Sequence, residues 1–148
     1  MSSQMANQAV EVATPSRQLG RSVWAIAAGF LVVVGLSIAT DVVLHKAGIF
    51  PPLGQRLSDK LSLLATIYRT VYAILGSYIT ARLAPNRPMF HAVVGAAIGM
   101  ILGTLGAIAT WNKDLGPHWY SLALVIEGIP CAWIGARIRL TQLSRRTN

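Results

Sequence analysis

The chain alternates between four long apolar runs and short polar gaps. The runs are Val23–Leu44, Leu61–Leu83, Met89–Trp111 and Trp119–Ile138. Each is about 20 residues, the length an α-helix needs to cross a hydrocarbon core of roughly 30 Å. Apolar residues go all the way around each run instead of forming one stripe, which fits helices bathed in lipid better than amphipathic surface helices. The expected fold is therefore all-α, a four-helix transmembrane bundle of up-down topology. Its helices are placed at 23–44, 59–83, 89–111 and 117–138 within a membrane domain of residues 21–140. Residues 1–20 are polar with no apolar period and are expected to be a disordered cytoplasmic tail, and 141–148 a basic cytoplasmic tail.

Punctuation between the runs agrees with this division. Ser58 and Asp59 can cap the second helix. Ala84-Pro85-Asn86-Arg87-Pro88 is a proline-framed turn that makes a tight hairpin of helices two and three. Asp114 and Gly116 precede Pro117, which suits the first turn of helix four. Trp24, Trp111, Trp119 and Tyr120 fall near the run ends, where amphipathic rings settle at a membrane interface. The longest gap, 45–60, contains Ile49-Phe50-Pro51-Pro52-Leu53 and is apolar enough to lie on a membrane surface. A rival reading of the first run is a signal peptide, with Arg17 and Arg21 before it and Ser37-Ile38-Ala39 as the cleavage site. Against it, the polar leader is long and Val42-Val43-Leu44 carries the apolar run onward.

Composition strengthens the membrane reading. Hydrophobic residues make up 53% of the 148 residues and charged residues 12%, against about 25% charged in a soluble domain. The formal net charge of +8 would suggest nucleic acid in a soluble protein. Here Lys and Arg sit in the gaps, without interleaved aromatics, so they read as orientation signals toward the lipid bilayer and no nucleic-acid partner is expected. With the N-terminus inside, the inner side holds eight (Arg17, Arg21, Arg82, Arg87, Arg137, Arg139, Arg145, Arg146) and the outer side four (Lys46, Arg56, Lys60, Lys113). That bias predicts both termini in the cytoplasm. Cys131 is the single cysteine; no internal disulfide can form, and no Cys/His metal spacing exists.

Candidate chemistry rests on three charges inside the apolar runs, Asp41, Arg69 and Glu127. Each costs roughly 2.5–3.5 kcal/mol at a bilayer centre and so needs a partner or a purpose. Arg69 and Glu127 both lie about ten residues into outside-to-inside helices, so they are expected at similar depth as an ion pair. Asp41 is near the outer end of helix one, and Arg69 can also reach toward it. Ser62, Thr66, Arg69, Tyr72, Gly76 and Thr80 form one polar or small face on helix two. Tyr120, Ala123, Glu127, Cys131 and Gly135 share a face on helix four. Ser37, Asp41 and His45 stack on helix one. Pro130 removes a backbone donor close to Glu127, so a kink is expected there. Two readings stay open: the charges lock helices together, or the excess of acids over bases leaves one carboxylate free to take a proton or a cationic solute.

Gly95, Gly99 and Gly103 repeat at four-residue spacing on helix three. Small residues at this spacing allow close helix contact, here either internal packing or the seam of a homodimer or membrane-protein partner. His45, His91 and His118 lie near interfaces and share no midplane depth, which argues against a bis-histidine haem. No phosphate loop, nucleophile elbow or HExxH motif is present, so no cofactor, metal or enzymatic activity is expected.

At Gly76-Ser77-Tyr78-Ile79-Thr80-Ala81-Arg82-Leu83-Ala84-Pro85, then Pro88-Met89 and His91-Ala92, the chain resembles small uncharacterised four-span proteins of bacterial inner membranes. The resemblance covers helices two and three with their hairpin, and it implies an inner-membrane setting without an activity to carry over. The leading expectation is a small integral membrane protein of structural or accessory type. The alternative is a small proton- or cation-linked transporter or channel built on an Arg69–Glu127 pair.

Overall fold

A computed structural model describes residues 15–147 of the chain, with side-chain burial defined for 18–146. Residues 1–14, most of the tail expected to be disordered, and Asn148 lie outside the described residues. Among those described the fold is all-α: α1 (Pro15–Lys46), α2 (Asp59–Leu83), α3 (Pro88–Thr110), α4 (His118–Ile126) and α5 (Gly128–Thr147).

Local chemistry sets each boundary. α1 starts eight residues before the apolar run, at Pro15, because proline needs no donor in a first turn and nothing from Ser16 to Ser22 breaks the helix. It stops at Gly48, whose φ of +70° turns the backbone left-handed. The Ser58 side chain accepts a bond from the Leu61 amide at 3.5 Å and caps α2. α2 ends where Pro85 forbids its predecessor a helical conformation. Arg87 then takes a left-handed φ of +41° and Pro88 opens α3. The helical pattern lapses at Glu127, between α4 and α5. The Glu127 amide still bonds Ala123 and the Cys131 amide still bonds Glu127, but Pro130 has no amide hydrogen to offer the turn before it. α5 then runs on to Thr147, so the segment 141–147 expected to be a tail is helix. Its arginines favour a helix C-terminus.

Three stretches are long and apolar enough to cross a membrane: Gln18–Lys46, Pro88–Thr110 and His118–Arg146. α2 is not one of them; it carries Asp59, Lys60, Arg69 and Arg82 besides a series of hydroxyl side chains. Like α3, it touches all the other helices, and it makes the broadest contacts with α1 and α5. α1 packs broadly on α2, meets α3 sparsely, and touches neither α4 nor α5, so α1 and the α4–α5 pair lie on opposite sides of α2.

The packing is inside-out relative to a water-soluble bundle. Most buried positions are small, among them Ala25, Ala65, Ala81, Ala92, Ala132 and Ala136 with Ser62 and Cys131; Phe50 and His91 are the large exceptions. Large apolar side chains face outward on every helix, including Leu63, Ile67, Val71 and Leu75 along α2. Small interior residues bring backbones close and maximise van der Waals contact. At one end of the bundle the loops are tied by a bond from the Leu57 amide to the Leu115 carbonyl at 2.8 Å, by an Arg56–Asp114 ion pair, and by Trp119 Nε1 donating to Asp59 at 2.8 Å.

Candidate functional site

The polar segment from Thr66 to Tyr72 engages α1 on one side and the α4–α5 junction on the other. A helix advances about 100° per residue, so Thr70 points to a different partner from Tyr68 and Arg69, which converge on one. Arg69 Nη2 donates to Asp41 Oδ2 at 2.6 Å, and the Tyr68 hydroxyl donates to Asp41 Oδ1. Tyr72 shares a 2.8 Å hydrogen bond with Thr40, one residue from Asp41. His45 closes the α1 side of this cluster, its Nδ1 2.7 Å from the Asp41 carbonyl. Asp41 is thus satisfied by one cation and one hydroxyl, and the two charges are about equally sheltered, with Arg69 30% and Asp41 29% exposed.

Glu127 is partnered differently. Its Oε2 lies 2.5 Å from the Thr70 hydroxyl, which is also 2.8 Å from the Thr66 carbonyl. A hydroxyl has one hydrogen and can donate to only one of these acceptors. If the Glu127 carboxyl carries a proton, it donates to Thr70 while Thr70 donates to Thr66, and both short contacts become hydrogen bonds. If it is ionised, one contact is lost. Cys131 Sγ, one turn further along, faces the Thr70 carbonyl at 3.9 Å.

The expected Arg69–Glu127 ion pair is therefore not the pairing found. Glu127 does lie against α2 at this level, where it meets Thr70, the residue next to Arg69. The guanidinium turns instead to Asp41, which the sequence also placed within its reach.

Between α1 and α3 lies a cleft of about 350 Å³ that reaches both Arg69 and Glu127. Its walls are mostly apolar: Phe30, Val33 and Val34 from α1, Met100 from α3 and Leu124 from α4. Val34 is 48% exposed and Gly103 is exposed, so the cleft opens to the flank of the bundle. It exists because α1 and α3 are held apart while both lean on α2.

The glycines explain this spacing. Gly95, Gly99 and Gly103, expected to make a close helix contact, line the cleft instead. A methyl group on them would sit 3.8 Å from Ile26, 3.5 Å from Phe30 and 3.4 Å from Val125, all ordinary contact distances. The close crossings are elsewhere. A Cβ on Gly29 would fall 2.6 Å from the Gly76 carbonyl, and one on Gly76 would fall 2.8 Å from that of Gly29. A Cβ on Gly135 would fall 2.5 Å from the Ile74 carbonyl. Close approach needs a small residue on both helices, and the α3 stripe has no small partner facing it.

Tyr68 and Thr70 were not singled out from sequence, although they carry the contacts to Asp41 and Glu127. Their signal was the density of polar residues around Arg69: Tyr68, Arg69, Thr70 and Tyr72 within five positions. Among the described residues no group of three His, Cys, Asp or Glu side chains could hold a metal ion. No family model matches the chain, and the comparisons with curated proteins and solved structures return no similar protein.

Proposed function

We propose that the chain is a multi-pass protein of a bacterial inner membrane that binds an apolar cation in the α1–α3 cleft, in exchange for a proton at Glu127. The observation that carries this reading is the division of the charges: Asp41 neutralises Arg69, and Glu127 is left facing an apolar cleft with a hydroxyl as its partner. In a bilayer an ionised carboxylate without a counter-charge is costly. Either a proton or a cationic solute neutralises that charge, so the two compete for one site. Apolar walls select a cation with an apolar body.

A four-span arrangement belongs to this reading. Three helices have the required length and hydropathy. α2 follows α1 through the loop 47–58, joins α3 by a tight turn, and shelters Arg69 and its hydroxyl neighbours against other helices, while Leu63, Ile67, Val71 and Leu75 face outward. The excess of Arg at the end bearing Arg82, Arg87 and Arg139 supports an orientation with both termini in the cytoplasm.

Binding of tetraphenylphosphonium to the purified protein in neutral detergent tests the reading. Binding should weaken as pH falls and disappear in Glu127→Gln, with the variant still helical and monodisperse. Undiminished binding by Glu127→Gln would overturn it. A structural or accessory role is the second reading, favoured by the Asp41–Arg69–Tyr68 clamp across α1 and α2. It is supported instead if Glu127→Gln alters thermal stability alone.

A further inference from the structure

Away from the cleft, at the end of the bundle that carries the α2–α3 turn, a second cavity of about 460 Å³ opens between α2 and α5. It is lined by Tyr78, Arg82, Arg139, Gln142, Arg145 and Arg146. Among the described residues none of these four arginines is in an ion pair; Arg56 and Arg69 take the two that exist. The Arg139 Nε is buried and has no hydrogen-bond partner. The Tyr78 hydroxyl donates to Gln142 Oε1 at 2.9 Å, which leaves the Gln142 amide hydrogens free to donate.

The cavity thus presents donors and positive charge with no acid to balance them. Converging guanidinium groups repel one another, and a buried donor left unmade costs free energy. An anion with several oxygens relieves both at once, and guanidinium forks fit phosphate oxygens well.

We propose that this cavity binds the phosphate group of an anionic membrane phospholipid. A second, mainly apolar cavity of about 440 Å³ adjoins it, shares Gln142 and Arg145 with it, and is walled by Trp133, Ile134 and Ile138. These three side chains are exposed, and Arg137 stacks on the Trp133 ring at 5.0 Å. A ligand that fills both cavities has a phosphate head and an apolar tail. Basic pockets between helices on the cytoplasmic side are suited to such headgroups. The reading shares with the proposed function only the membrane setting and does not depend on Glu127.

The test is native mass spectrometry of the full chain in neutral detergent, with phosphatidylglycerol or phosphatidylcholine added. Phosphatidylglycerol should be retained over phosphatidylcholine. Arg82→Gln with Arg139→Gln should weaken it about fivefold per arginine removed. Arg139→Gln deletes a donor that has no partner, so the fold should survive, and an unchanged melting temperature checks this. Arg21→Gln with Arg87→Gln, which removes equal charge outside the cavity, should leave binding intact. Equal losses in both pairs would reduce the effect to a diffuse positive surface and overturn the proposal. Displacement of phosphatidylglycerol by millimolar inorganic phosphate would overturn the lipid assignment. Glu127→Gln should bind phosphatidylglycerol normally even where it has lost tetraphenylphosphonium.

Discussion

α1 meets its two neighbours in opposite ways. Against α2 its backbone is in direct contact at Gly29 and Gly76, and Thr40 and Asp41 are bound to Tyr72, Tyr68 and Arg69. Against α3 it meets a glycine stripe that stays at ordinary contact distance and leaves a cleft. Both seams are rich in glycine, and only one is tight. Glycine permits close approach, but a small residue on the facing helix decides whether the approach happens. Polar side chains then reinforce the seam that has closed.

This contrast can be broken most severely at Gly76. A Gly76→Val substitution places carbon against the Gly29 carbonyl, where the obstacle is backbone and cannot swing away. It should cost about 3 kcal/mol by overpacking, read as a large drop in melting temperature in detergent or as failure to fold. Next comes Asp41→Asn, which keeps an acceptor for Tyr68 but leaves Arg69 without its counter-charge. Because the pair is only partly buried, the loss should be about 2 kcal/mol rather than the larger penalty of a fully buried pair.

The other seam should respond in the opposite sense. Gly99→Ala adds a methyl at 3.5 Å from Phe30 and gains helix propensity. Melting should stay within about 0.5 kcal/mol of the parent, on the stabilising side. Gly99→Leu extends further into the cleft and should abolish tetraphenylphosphonium binding while the protein remains folded. Smallest of all is Arg56→Gln, which breaks an exposed ion pair between loops. Its effect on melting should be close to zero and vanish in high salt. If Gly99→Ala proved as damaging as Gly76→Val, the difference between the seams would be lost.

Much of the fold was legible because apolar length and turn chemistry are local signals. The Ser58 cap and the Pro85–Pro88 turn stand where they were expected. α1 and α5 extend beyond their apolar runs, because a helix continues through polar residues until something stops it. Of the site, the depth of Glu127 against α2 could be read from residue counting. The choice between Asp41 and Glu127 as the partner of Arg69 could not, since it depends on the rotation of α2 and on how closely α1 lies. That closeness rests on Gly29, an unremarked glycine in a run of apolar residues.

The Asp41–Arg69 bridge also bears on how such a chain is made. The acid is synthesised before the arginine, on the helix immediately preceding it. When α2 emerges, its counter-ion is already in place on α1, so these two charges can cancel within the first hairpin before the rest of the chain is made. Glu127 arrives last, with Thr70 of α2 already in place to receive it.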